Sequence, residues 1–125
     1  MVTSKAGGVA VGGAQGTANA GAYIVTGTLA GITEVNTELF TSDSSANGLA
    51  IPTGSDNGWY HYNPSTHIIS PIAGKIIVVK TNDGRYAKLE ILSYYQNSQP
   101  NDDLSNSQFY TFNYVYQPNT GVTTF

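Results

Sequence analysis

Residues 74–95, GKIIVVKT-NDG-RYAKLEILSYY, decide the fold. Two apolar runs flank Asn82-Asp83-Gly84, and a three-residue loop with glycine in the left-handed region closes a hairpin by a type I turn and a bulge. That loop sets the register. Thr81 falls opposite Arg85, Val79 opposite Ala87, Ile77 opposite Leu89 and Lys75 opposite Ile91. Side chains alternate along a strand, so Ile77, Val79, Ala87, Leu89 and Ile91 share one face, and that face is the expected core. Lys80, Tyr86, Lys88 and Glu90 take the other, with Ile76 and Val78 between them.

Working outward, β-branched and aromatic residues dominate and no window shows a convincing 3.6-residue apolar period. Strands are expected at Ala22–Leu29, Leu49–Pro52, Trp59–Asn63, His67–Ser70, Lys75–Thr81, Arg85–Tyr95, Phe109–Gln117 and Val122–Phe125. Turn signals at Asn47-Gly48, Asn63-Pro64 and Asp83-Gly84 separate them. The fold class is therefore all-β, an antiparallel meander or sandwich of about 7–9 short strands. In QFYTFNYVYQ, Tyr110, Phe112, Tyr114 and Tyr116 line one side and Thr111, Asn113 and Val115 the other. The tyrosine side reads as half-buried core or as a ligand platform. Ser98–Ser107, with Pro100, Asp102 and Asp103, reads as a mobile polar surface loop.

The chain has 125 residues, enough for one domain. Residues 1–21 hold most of the stretch GGVAVGGAQGTANAGA and read as a flexible or edge segment, with a short strand at Val9–Val11 at most. Residues 22–125 form the β domain. The GGxxxGG spacing lacks the Lys-Ser/Thr ending of a phosphate loop. Charged residues make up only 10% and aromatics 11%, the reverse of a disordered composition. A net charge of −3 gives no footprint for nucleic acid. Lys75, Lys80, Arg85 and Lys88 cluster in sequence and read as a solvated hairpin face. No run approaches the roughly 20 apolar residues of a membrane span, and no apolar signal region opens the chain.

With no cysteine, disulfides, thiolate metal sites and cysteine nucleophiles are excluded. No G-x-S-x-G elbow is present, and the carboxylates fall mostly in loops, so no enzyme is expected. Asp43-Ser-Ser-Ala-Asn47-Gly48 resembles the start of a calcium loop, but its twelfth position is Gly54, which favours a plain Asx turn. His61 and His67 are the strong nitrogen ligands. A tight Asn63–Thr66 turn would pair Tyr62 with His67 and His61 with Ile68, placing the two histidines on opposite faces.

The stretch NGWYHYNPSTHIISPIAGKIIVVKTNDGRYAKLEILSYYQ, followed by FYTFNYVYQPN and TTF, resembles the C-terminal part of the HmuY family. Weaker similarity runs back through AIPTG to AYIVTGTL. The resemblance implies an all-β, exported, lipoprotein-like domain at the outer-membrane surface or outside the cell, lacking the family's N-terminal strands. It implies capture of haem or another small ligand and hand-over to an outer-membrane transporter. The family's axial-histidine position after the GW strand falls on Pro64, so bis-histidine ligation does not carry across. Non-standard ligation through His61 or His67 with Tyr60, Tyr62 or Tyr86 is the corresponding expectation. The alternative is a structural or assembly subunit. Without the N-terminal strands, open β edges would lead to homo-oligomers or to a β-edge partner.

Overall fold

The computed structural model describes residues 2–5, 19–46 and 48–125. The expected strand at Val9–Val11, the phosphate-loop spacing and Asn47 of the calcium-like turn lie outside the described residues. The chain is all-β and antiparallel. Six strands lie between Gly21 and Gln117, and β1 (Val2–Lys5) adds one near the N-terminus: β2 (Gly21–Thr26), β3 (Tyr60–Asn63), β4 (Ile68–Pro71), β5 (Lys75–Lys80), β6 (Tyr86–Tyr95) and β7 (Ser107–Gln117). The six strands fall short of the expected 7–9, and β1 brings the number among the described residues to seven. One sheet has the order β1-β7-β6-β5-β2, and β3 and β4 form a separate hairpin.

The β5–β6 hairpin has the register that its loop predicts, with Ile77 opposite Leu89 and Val79 opposite Ala87. Gly84 has φ +81°, and the Thr81 N–H donates to the Arg85 carbonyl at 2.8 Å. Two expected strands are absent. At Leu49–Pro52 the chain bends, because Asp43 Oδ1 accepts the Ala50 N–H at 2.8 Å and turns Ala50 and Ile51 inward to be buried. At Val122–Phe125 a single bridge forms, Glu34 to Thr124.

The expectation of one core face is corrected. Ile77 and Ile91 are buried on the predicted face, but Val79, Ala87 and Leu89 are only half-buried. Ile76 and Val78, on the opposite face, are fully buried. The sheet is covered on both sides. On one, Trp59, Ala50 and Ile51 pack against Ala22, Ile77, Ile91 and Tyr110, with Ile69 of β4 at the margin. Gly58 lets Trp59 reach this position, since a Cβ there would meet the Pro52 carbonyl oxygen at 2.6 Å. On the other, Val35, Leu29, Ile32, Phe40 and Phe125 cover Tyr23, Ile76, Val78 and Tyr86.

Lys88 belongs to this second core and is the exception to the expected solvated basic face, since Lys75, Lys80 and Arg85 make exposed hydrogen bonds at the surface. Lys88 is 4% exposed. Its ammonium donates to the Leu29 and Ile32 carbonyls and lies 4.9 Å from the Phe125 ring centre. Burial lowers its pKa. These two carbonyl acceptors are what make a buried lysine tolerable.

Candidate ligand cavity

Two irregularities where β6 meets β7 create the cavity wall. Ile91 pairs with Phe112 and Ser93 with Thr111, so Leu92 is an extra residue on β6. A bulge of this kind re-aims the residues beyond it. Leu92 is thrown out to solvent, Ser93 and Thr111 turn to the Lys88 side, and Tyr94 joins Ile91 on the Trp59 side. The second shift, before the Tyr95–Ser107 pair, leaves Gln108 at φ +66°.

The consequence is an aromatic cluster. Trp59 meets Tyr60 at 5.0 Å, Tyr110 at 5.7 Å and Tyr94 at 6.1 Å between ring centres, and Tyr94 meets Tyr110 at 5.4 Å and Tyr95 at 5.5 Å. Most of these contacts are edge-to-face, the arrangement that ring quadrupoles favour. Burial pushes the Tyr110 phenol up to about 12 and raises that of Tyr94. The Tyr95 hydroxyl accepts the Ile69 N–H at 2.7 Å, tying β6 to the β3–β4 hairpin.

Between that hairpin and the loop before β7 lies a cavity of about 500 Å³. Its walls are Tyr62, His67, Ile69, Tyr94 and Tyr95 on one side and Asn101–Leu104 with Ser107 and Gln108 on the other. This volume is within the range of small-molecule sites. The loop is held by its own hydrogen bonds. Asp103 accepts from the Ser105 N–H at 2.9 Å and its hydroxyl at 2.8 Å, and Asn106 Nδ2 donates to the Gln99 carbonyl at 2.7 Å. The Ser105 hydrogen bonds keep the Asp103 carboxyl below its usual pKa, so it is ionised. Among the described residues no Lys or Arg lines the cavity, and Asp102 and Asp103 make its loop side negative.

The five candidate ligand residues do not converge. Only Tyr62 and His67 line the cavity. Tyr60 shares the face of Tyr62 but packs against Trp59, its hydroxyl accepting the Gly54 N–H at 2.7 Å. His61 is on the opposite face of the hairpin, exposed, with Nδ1 3.0 Å from both Asp56 carboxylate oxygens. Its hydrogen bond lowers the Asp56 pKa. Tyr86 is on the far face of the large sheet, stacked on Phe40 at 5.7 Å.

The β3–β4 register also differs from the expected one. Asn63 pairs with Ile68, Tyr62 with Ile69 and His61 with Ser70. The loop is longer because the His67 N–H donates to the Asn63 carbonyl at 2.7 Å while Asn63 Oδ1 accepts from Ser65 and Thr66. His67 is thus a turn residue at φ +60°, not a strand residue. Tyr94, Tyr95 and Gln108 were missed as wall residues. The doublet Tyr94-Tyr95 is a hint in the sequence, but strict alternation sets Tyr94 on the face opposite Ile91; the bulge at Leu92 returns it to the Ile91 side, and a second shift lies between Ser93 and Tyr95.

Among the described residues no group of three or more His, Asp or Glu could hold a metal ion, and no helix is long and apolar enough to cross a membrane. No protein-family model matches the chain, and a search of curated proteins finds no match.

Proposed function

We propose that this chain is a HmuY-like surface ligand-binding domain and that its ligand enters the cavity between the β3–β4 hairpin and the Asn101–Gln108 segment. The observation that supports this reading most is the meeting of His67 with Tyr62, Tyr94 and Tyr95 around one concave space. Stacking on tyrosines favours a planar, largely apolar body. Haem or another tetrapyrrole is the ligand that the family resemblance implies. The wall offers it one nitrogen donor, His67, while His61 faces away with Asp56. Asp102 and Asp103 repel carboxylates, so the propionates of a bound haem would point out of the mouth, away from the loop. Export to the cell surface and delivery to an outer-membrane transporter belong to the same proposal.

Titration with haemin tests it. The expected result is a one-to-one Soret change of the kind given by a single histidine ligand, lost in His67→Ala and retained in His61→Ala. Equal binding by parent and His67→Ala, or a low-spin bis-histidine spectrum lost in either variant, would overturn the assignment of His67. His67→Gly adds a control that separates binding from folding. A left-handed non-glycine residue costs about 1–2 kcal/mol, so this variant should be at least as stable as the parent and still fail to bind.

A further inference from the structure

We propose that the cavity selects its ligand by charge and takes a planar aromatic cation in preference to a planar aromatic carboxylate. The inference rests on the reading of this cavity as a ligand site, but on neither iron nor His67. The two walls differ in kind. The hairpin side presents Tyr62, Ile69, Tyr94 and Tyr95, and the loop side presents Asp102 and Asp103. Tyrosine rings hold an apolar plate, and the negative face of a ring also attracts a cation. An aromatic body that carries a positive charge satisfies both walls at once. The same body with a carboxylate satisfies only one of them.

Donors that could hold an anion are drawn into the protein's own hydrogen bonds. Asn101 Nδ2 donates to the Gln99 carbonyl at 3.3 Å, the Ser107 hydroxyl to the Leu104 carbonyl at 2.8 Å, and the Asp103 N–H to Asn101 Oδ1 at 2.9 Å. Across the cavity the Ile69 N–H goes to the Tyr95 hydroxyl. No Lys or Arg occurs in residues 60–71 or 94–108, the segments that build the two walls, and residues 6–18 contain no charged residue. The basic residues of the β5–β6 hairpin are engaged elsewhere: Lys75 with Thr26, Lys80 with Asn19, Arg85 with Asp83 and the Pro118 carbonyl, and Lys88 with the Leu29 and Ile32 carbonyls. None of these four neutralises Asp102 or Asp103. Both carboxylates therefore act on whatever enters, and a cation bound against tyrosine rings feels them more strongly than one in bulk water.

Iron-free probes on one three-ring frame test the selection at neutral pH: proflavine, a cation, and acridine-9-carboxylate, an anion. Calorimetric titration should show proflavine binding one-to-one and about tenfold or more tighter than the carboxylate, with the preference shrinking as salt is added. Asp102→Asn combined with Asp103→Asn should abolish the preference. Asparagine keeps the oxygen that accepts from Ser105, so the loop is retained, and buried Trp59 fluorescence confirms the fold. Glu34→Gln with Glu38→Gln removes the same charge from a surface remote in sequence and should leave the preference intact, which separates a local field from net charge. Equal affinity for the two probes, no binding of proflavine, or a preference that survives in the Asp variant or falls equally in the Glu variant would overturn the inference. The haemin titration fails independently. Haemin binding through His67 without a charge preference removes this inference alone, whereas charge-selective proflavine binding without haemin binding removes haem and leaves the selection standing.

Discussion

Tyr110 is 7% exposed beside Trp59 and Tyr94, and its phenol is pushed up to about 12 because burial disfavours the phenolate. A folded-state pKa above the unfolded value of 10.0 has a definite sign in the pH dependence of stability. The protonated folded form is fully stabilised below pH ~10, and this contribution is lost as pH rises toward about 12. Tyr94 is raised in the same direction. Chemical denaturation between pH 9 and 12 should therefore show stability falling, and Tyr110→Phe should flatten that fall. An equal slope in the variant would place the alkaline sensitivity elsewhere. His67 shows the complementary lesson at this scale. Its identity as a nitrogen donor was plain in the sequence. Its left-handed backbone was not, because that conformation follows from the Asn63 carbonyl and side chain gathering the turn's N–H groups.

The β5–β6 hairpin is the element in which local chemistry is sufficient. Asn82-Asp83-Gly84 sets the register, and the structure follows it from Thr81–Arg85 to Ile77–Leu89, while the expected Lys75–Ile91 pair is not among those formed. Gly84 is central, with φ +81° and with Thr120 Cγ2 3.4 Å from where a Cβ would be. Gly84→Val should destabilise by about 1–3 kcal/mol, read as a lower urea midpoint with an unchanged slope; an unaltered midpoint would contradict the turn geometry. The far end of β6 behaves otherwise. Nothing in Ile91-Leu-Ser-Tyr-Tyr95 announces a bulge, and simple alternation puts Tyr94 on the face opposite Ile91. The bulge forms because it lets Tyr94 reach Trp59 and Tyr110 while Ser93 sits beside Thr111. A tertiary gain in aromatic packing outweighs the lost ladder regularity.

At the scale of the whole molecule the sheet has two covered faces, and the position of the cover determines what each residue is worth. Ile77 is fully buried in the Trp59 cluster, whereas Leu89, directly opposite it on the same face, packs against that cluster but stays half-buried. Ile77→Ala should cost about 2–5 kcal/mol, and Leu89→Ala distinctly less. Comparable losses from parallel denaturation curves would mean that the cover extends over Leu89. The same geometry explains Lys88. The Leu29–Ile32 turn brings two backbone carbonyls over β6, so a lysine that alternation sends outward finds acceptors and an aromatic ring instead of water.

The sequence by itself determined the all-β class, the β5–β6 hairpin with its register, and most strand positions, because each depends on neighbours a few residues apart: turn chemistry at Gly84, and the two-residue period of the strands. It also pointed to His67 and Tyr62 as residues with ligand-binding chemistry. The tertiary structure alone decided which strands remain strands, which face of β5 is buried, and that Tyr86 and His61 lie away from the cavity. Those outcomes depend on contacts between residues far apart in the chain, such as Lys88 with Leu29, Tyr95 with Ile69 and Trp59 with Tyr110. A period of two tells which side chains point together, but not which side will be covered.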